Sequence, residues 1–177
     1  MSNEITSSFG QISIPPISLY EFLVEKFRFN GSKDALVLAN SGKKILFSDL
    51  CNIAECMSMK FEAMGVKEKM VISVCMRNLP EYLYAMLAAL KLGAIWSPVN
   101  PKSTQEDLNH NYMLTKPAFV VTEEIFQQKI KEANEKTGYG KKIILIGQEE
   151  IISSSSNLSV DGKTGKHESA AIALERK

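Results

Sequence analysis

The chain has 177 residues, enough for one domain, and a hydrophobic content of 45%, which is typical of a globular protein. Its formal net charge is only +1. This excludes an overall electrostatic field that would draw the chain to nucleic acid or to an anionic membrane.

The sequence predicts neither a targeting signal nor a site built from cysteines. The first twenty residues have no basic segment followed by an apolar one, and the longest apolar run, around residues 82–90, is too short to span a bilayer. The last residues are not a Ser-Lys-Leu peroxisomal signal, so a cytoplasmic protein is predicted. Cys51, Cys56 and Cys75 have neither CxxC spacing nor an even count. They are interpreted as buried thiols rather than as a zinc site or a disulfide framework.

The N-terminal third predicts a helix and a hairpin. Residues 1–17 are polar and contain a Pro-Pro pair, which favours an extended segment. Ser18 is the expected N-cap of a short helix that presents apolar residues at helical spacing. The apolar runs 35–39 and 45–47 flank five turn-forming residues and therefore predict a β-hairpin.

The next elements alternate between helix and strand. Ser48 is expected to begin a helix that Gly65 ends. Residues 70–76 are nearly all apolar, as expected for a strand that is covered on both faces. Pro80 suits the first turn of a third helix, which is apolar on almost every side and is therefore expected to be buried.

After Pro101 the alternation continues. Ser103 and Glu106 predict a capping box that opens a helix ending near Thr115. A strand over residues 118–122, an amphipathic helix over 123–136 and a strand over 142–147 follow. Apolar strands separated by helices of ten to fifteen residues indicate βαβ units, so the predicted fold is α/β, with a doubly wound, mostly parallel sheet and an N-terminal β-hairpin.

The predicted domain organisation has three parts. Residues 1–17 form an extended entry, residues 18–147 form the α/β unit, and residues 148–177 form a flexible polar tail. The tail contains the serine run 153–156, which is interpreted as a flexible linker, with phosphorylation as the alternative. It also contains Gly162-Lys163-Thr164, but the glycine that a Walker loop requires five positions earlier is replaced by Asn157. That segment is therefore interpreted as a solvated loop.

Few residues are candidates for chemistry. His110 lies among polar residues and is interpreted as a solvated surface residue. Arg77 and Asn78 follow a strand and precede the Pro80 helix, where parallel sheets place their ligand-binding loops. Arg77 is a candidate for ligand contact, although pairing with backbone carbonyls or with a nearby carboxylate is the simpler interpretation. The sequence shows no nucleophile–base pair, carboxylate dyad or metal cluster, so it predicts no catalytic, cofactor-binding or metal-binding residue.

The segment Leu90–Pro101 resembles a core motif of the adenylate-forming enzymes, the AMP-dependent synthetases and ligases that include acyl-CoA synthetases, 4-coumarate–CoA ligases and firefly luciferase. The resemblance runs from about Ser18 to Gly147, in the order of the family. Its other elements are Ser18–Leu23, Ala35–Val37, Ile45–Leu50, Val71–Cys75, Asn78–Glu81, Pro117–Thr122 and Lys142–Gly147. This resemblance implies an incomplete N-terminal subdomain of the adenylate-forming fold.

In that family, a carboxylate and ATP first give an acyl-adenylate, and the CoA thiolate then displaces AMP. The ATP phosphates and Mg²⁺ are held by a Ser/Thr/Gly-rich loop that has no matching residues here. The resemblance therefore assigns no functional residue to this chain and no bound ATP, Mg²⁺ or CoA. Residues 170–174 resemble the strand that leads into that loop, so the chain is expected to be a truncated form, cut just before its catalytic segment.

Three interpretations follow. The first is a truncated relative of an ATP-dependent acid–CoA ligase of fatty acid metabolism, inactive alone, whose longer form performs the ligation. The second is a non-catalytic binding or regulatory module that associates with a full-length ligase, or with the missing remainder of the fold, through an uncovered sheet edge. The third, an independent flavodoxin-like or nucleotide-binding domain, is disfavoured because no glycine-rich loop follows any strand.

Overall fold

The computed structural model of the protein describes residues 13–147. Residues 13–17 contain no helix or strand, and the first helix, α1, spans Leu19–Phe29. As predicted, Ser18 caps it: the Ser18 hydroxyl accepts the Glu21 N–H at 3.1 Å, and the Glu21 carboxylate accepts the Ser18 N–H at 2.9 Å. Strands β1 (Asp34–Val37) and β2 (Lys44–Leu46) pair antiparallel, which confirms the hairpin.

Helix α2 (Phe47–Ala63) begins one residue earlier than predicted. The Leu46 N–H donates to the Asp49 carboxylate at 3.0 Å, while the Ser48 N–H donates to the Gly31 carbonyl at 3.2 Å. The predicted start at Ser48 is therefore wrong, because the cap comes from Asp49 inside the helix. Gly65, with a φ of 92°, follows the end of the helix as expected.

A four-stranded parallel sheet forms the rest of the fold, with the strand order β4-β3-β5-β6. Its elements are β3 (Val71–Cys75), α3 (Pro80–Lys91), β4 (Ile95–Pro98), α4 (Gln105–Thr115), β5 (Phe119–Thr122), a 3₁₀ turn (Glu124–Phe126), α5 (Gln127–Thr137) and β6 (Lys142–Leu145). From β3 the chain moves first to one side of the sheet and then, after β4, to the other. This reversal confirms the doubly wound arrangement and places the topological switch point between β3 and β5.

Each face of the sheet has its own apolar layer. Helices α2 and α3 cover one face, where the buried strand residues are Ile72, Val74, Phe119, Val121 and Ile144. Helices α4 and α5 cover the other face, over Cys75, Val120 and Ile143. Alternate residues of one strand thus enter opposite layers, which explains why the central strands are nearly continuous apolar runs.

Two predictions around α4 and α5 were wrong in detail. The cap of α4 is Thr104, not Ser103: its hydroxyl accepts the Asp107 N–H at 3.1 Å, and the Asp107 carboxylate accepts the Thr104 N–H at 3.1 Å. Glu123 was expected inside a helix, but it lies in extended backbone between β5 and the 3₁₀ turn. The helix that follows starts only at Gln127.

Within residues 13–147, no helix combines the length and the apolar character that crossing a membrane requires. The predicted tail, including the serine run, Gly162-Lys163-Thr164 and residues 170–174, lies outside the described residues, as do residues 1–12. The predicted division of the chain into three parts therefore stays a prediction.

Candidate functional site

The carboxyl edge of the sheet at the switch point is where a ligand-binding site is expected. In open α/β sheets, the strand connections diverge there and leave a crevice in which ligands bind. Here the crevice lies between the loop after β3, which contains Arg77, and the segment after β5, which begins with Glu123.

Arg77 and Glu123 form an ion pair across this crevice. The Arg77 backbone N–H donates to Glu123 Oε1 at 3.1 Å, and Arg77 Nε donates to Oε1 at 3.1 Å and to Oε2 at 2.6 Å. The Glu123 side chain is 6% exposed and that of Arg77 is 53% exposed. The ion pair therefore joins a nearly buried carboxylate to a half-exposed guanidinium and connects two loops 46 positions apart in sequence.

This geometry decides between the two interpretations of Arg77. Its partner is a nearby carboxylate of the protein itself, which was the simpler interpretation. Glu123 was missed because the apolar pattern after β5 assigned it to a helix. Its position directly after a strand was the available signal, since the carboxyl ends of adjacent parallel strands meet at one edge of the sheet.

Two more polar residues lie at the same edge. The Thr122 hydroxyl donates to the Cys75 carbonyl at 2.6 Å, which joins the ends of β5 and β3. Glu81, the second residue of α3, is only 4% exposed. Burial raises the pKa of its carboxyl, and the nearby Glu123 carboxylate raises it further, although a hydrogen bond from the Glu81 backbone N–H acts in the opposite direction.

The loop after β4 is held by α5. The Lys129 ammonium donates to the Pro101 carbonyl at 3.2 Å and to the Ser103 carbonyl, and the Gln105 amide donates to the Lys129 carbonyl at 3.2 Å. The protein's own groups therefore engage both Arg77 and Lys129. Lys102, in the same loop, is exposed.

The remaining candidates do not come together. His110 is exposed on α4. Cys51, Cys56 and Cys75 are free thiols, and burial raises the pKa of each of them. Only Cys75 is fully buried, so the prediction of buried thiols is wrong for Cys51 and Cys56, which are half-buried at the surface of α2. Between residues 13 and 147, no group of three or more His, Cys, Asp or Glu side chains has a metal-binding arrangement. At the carboxyl edge, Arg77 Nε is engaged by Glu123 and the Lys129 ammonium by loop carbonyls, so these two cations are poorly placed to receive the phosphates of ATP.

Comparisons with known proteins identify the family of this chain. The family model described as AMP-binding enzyme matches residues 25–173. A luciferin 4-monooxygenase from Photuris pensylvanica is 26% identical over 142 residues, which make up 75% of this chain and 26% of that protein. A 4-coumarate–CoA ligase from Humulus lupulus is 27% identical over 127 residues, 71% of this chain and 23% of that protein. The chain therefore spans about a quarter of the length of these relatives.

Solved structures show the same fold. The luciferase-like enzyme from the nonluminescent Zophobas morio mealworm superposes with a TM-score of 0.72 at 19% identity, covering 89% of this chain and 38% of that chain. A benzoate CoA ligase from Burkholderia xenovorans gives a TM-score of 0.66 at 19% identity, over 78% of this chain and 28% of that one.

Proposed function

The chain belongs to the AMP-binding enzyme family, and we propose that its described part is the N-terminal α/β scaffold of an ATP-dependent acid–CoA ligase and carries no catalysis by itself. The complete reaction would convert a carboxylic acid and ATP into an acyl-adenylate, and then into an acyl-CoA. The observation that carries the proposal is the family match over residues 25–173, which covers most of this chain, while the chain spans only about a quarter of the length of the relatives it matches.

The chemistry of the described residues supports the scaffold role. Adenylation requires donors and a metal ion placed where charge develops on the α-phosphate. At the carboxyl edge, the Arg77 guanidinium is bound to Glu123 and Lys129 is bound to loop carbonyls. These groups therefore hold loops in position rather than receive a nucleotide.

Pyrophosphate exchange tests the proposal. The purified 177-residue chain is incubated with ATP, Mg²⁺ and labelled pyrophosphate, together with a panel of fatty and aromatic carboxylic acids. We expect no acid-dependent incorporation of label into ATP, whereas a full-length acid–CoA ligase assayed in parallel incorporates it. Acid-dependent exchange by the chain itself would refute the scaffold proposal. A longer protein that shares this segment is expected to be active in the same assay.

A second candidate function is favoured by the surface of α1. Leu19, Phe22 and Phe29 are 58%, 37% and 86% exposed, and their spacing places them on one side of the helix, away from the residues that pack on the core. Such a stripe suits a module that associates with a full-length ligase. Size-exclusion chromatography of the chain mixed with a full-length ligase tests this alternative, which requires a complex that is lost when Phe22 and Phe29 are both replaced by Glu.

The cytoplasmic location belongs to the same set of proposals. Microscopy of a tagged chain in its source cells tests it, and signal confined to an organelle would contradict it.

A further inference from the structure

The amino edge of the parallel sheet carries a row of exposed lysines. This edge consists of the four loops that precede β3, β4, β5 and β6, together with the first residue of β6; the loops span residues 64–70, 92–94, 116–118 and 138–141. The exposed lysines of this edge are Lys67, Lys69, Lys116, Lys141 and Lys142. The acid in these loops is Glu68, which forms an ion pair with Lys69 at 3.4 Å. The ion pairs of residues 13–147 include none of the other lysines of this edge.

Backbone hydrogen bonds hold the four loops side by side. They run from the Lys69 N–H to the Gly93 carbonyl at 2.9 Å, from the Ala118 N–H to the Val71 carbonyl at 2.9 Å and from the Gly140 N–H to the Pro117 carbonyl at 2.8 Å. The Lys142 ammonium lies 4.8 Å from the centroid of the Phe119 ring, on the neighbouring strand. Adjacent strands are about 4.8 Å apart, so the lysines form one row about 15 Å long.

Two lysines of this edge have backbone conformations that suit glycine. Lys69 and Lys116 have φ angles of 65° and 49°, and they are the two non-glycine residues in the range 13–147 with a positive φ. Such a conformation is unfavourable for a residue with a Cβ, and glycine adopts it at Gly65, Gly93 and Gly138 in neighbouring turns. The turns therefore do not account for a lysine at either position, and outliers of this kind point to a use of the side chain.

Apolar side chains are exposed at the same edge. Met113 and Leu114, in the last turn of α4 just before Lys116, are 54% and 69% exposed, and Ile95, the first residue of β4, is 50% exposed. Lysines beside exposed aliphatic side chains are typical of surfaces that bind to the interface of an anionic membrane. Arginine, whose planar fork suits the phosphates and bases of nucleic acids, is absent from these loops. Lysine is also depleted in protein–protein interfaces.

We propose that the amino edge is a docking surface for an anionic lipid membrane. The lysine ammoniums contact the lipid phosphates, and Ile95, Met113 and Leu114 enter the headgroup region. The net charge of +1 gives no overall attraction, so docking depends on the local row of lysines, whose field reaches about one Debye length, roughly 8 Å, at physiological salt. Cytoplasmic leaflets contain anionic lipids that attract such lysines. The crevice at the carboxyl edge, at the opposite end of the strands, then faces away from the membrane.

Co-sedimentation of the 177-residue chain with lipid vesicles tests the proposal without any variant. Vesicles of phosphatidylcholine mixed with phosphatidylserine are compared with vesicles of phosphatidylcholine alone. At low salt we expect partition into the mixed vesicles to be at least about tenfold stronger, because several lysines act together. The difference should shrink as the salt concentration rises, since exposed charges are screened. Equal partition into the two kinds of vesicle would overturn the proposal.

A charge-matched pair of variants locates the binding surface. The edge variant replaces Lys67, Lys116 and Lys141 by Gln, and the control variant replaces Lys33, Lys43 and Lys102, which are exposed outside the amino edge, by Gln. Each lysine near an anionic surface strengthens partition about fivefold, so the edge variant should bind about 100-fold more weakly. The control should stay within about fivefold of the wild type. Equal losses in the two variants would show a response to overall charge and would overturn the proposal.

Met113→Ser combined with Leu114→Ser distinguishes a membrane from a soluble polyanion. Both side chains are exposed, and urea unfolding followed by Trp96 fluorescence checks that the variants are folded. We expect partition into the mixed vesicles to fall about tenfold, because two aliphatic side chains no longer leave water. Unchanged partition would contradict the proposal. So would a DNA duplex that the wild type binds as tightly as the vesicles, because the edge would then recognise phosphate alone.

Discussion

Replacing Gly140 by alanine tests the packing of the face covered by α4 and α5. Gly140 follows α5 with a φ of +67°, and its N–H donates to the Pro117 carbonyl at 2.8 Å. A Cβ added there would lie 2.7 Å from Val120 Cγ2, 2.8 Å from Asn134 Oδ1 and 3.2 Å from Tyr112 Cε2. These neighbours are at most 7% exposed. None of them can move into solvent to make room, so the backbone or the strand must shift.

The expected loss of folding stability in Gly140→Ala has two contributions. The left-handed backbone costs an alanine about 1–2 kcal/mol, and forcing a methyl group into a filled core costs about 1–3 kcal/mol more. Gly140→Ala is therefore expected to lower the free energy of unfolding by about 2–5 kcal/mol. Gly138→Ala is the matched control, because Gly138 has a φ of +80° and nothing within 4 Å of the added Cβ. It should lose only the backbone part, about 1–2 kcal/mol.

Urea unfolding followed by Trp96 fluorescence measures both variants, since Trp96 is the only tryptophan of the chain. Its indole N–H donates to the Tyr82 hydroxyl at 3.2 Å, so unfolding changes its surroundings. With a slope of about 2 kcal/mol per molar urea, the Gly140→Ala midpoint should fall by about 1–2.5 M. The effect of alanine on the unfolded chain is the same in both variants and cancels. Equal midpoints for Gly138→Ala and Gly140→Ala would refute the packing argument.

Three further substitutions test the site and its supports. Arg77→Met leaves the buried Glu123 carboxylate without its cation, although the backbone N–H of residue 77 still donates to it, and should cost about 1–3 kcal/mol in urea unfolding; most of this loss should disappear in the double variant with Glu123→Gln, and additive losses would contradict a direct pair. Thr104→Ala removes the cap of α4 and should cost about 1 kcal/mol, while Ser103→Ala should stay within about 0.5 kcal/mol, so the reverse order would contradict the capping geometry. Cys75 is fully buried and burial raises its thiol pKa, so it should react with a thiol reagent at neutral pH only after urea is added; reaction in the native chain would contradict its position.

The identity and order of most elements follow from the sequence because their causes are local. Ser18 and Glu21 lie about one helical turn apart, so the capping box of α1 can be recognised from four consecutive residues of the sequence. The apolar run of β3 and the apolar character of α3 on nearly every side indicate burial without any knowledge of their neighbours. The same local patterns are less decisive where two residues compete. Ser103 and Thr104 both suit a cap, and the choice of Thr104 depends on where the loop after β4 is held by Lys129.

The strand order and everything that depends on it were decided only by the tertiary structure. The sequence places Arg77 after one strand and Glu123 after another, but their pairing requires β3 and β5 to be neighbours in the order β4-β3-β5-β6. That order results from burying both faces of each strand under helices from distant parts of the chain, which no local pattern records. The burial of Glu81 has the same origin. A charged residue in the first turn of a helix is ordinarily solvated, whereas Glu81 is only 4% exposed, because distant parts of the chain pack around the start of α3.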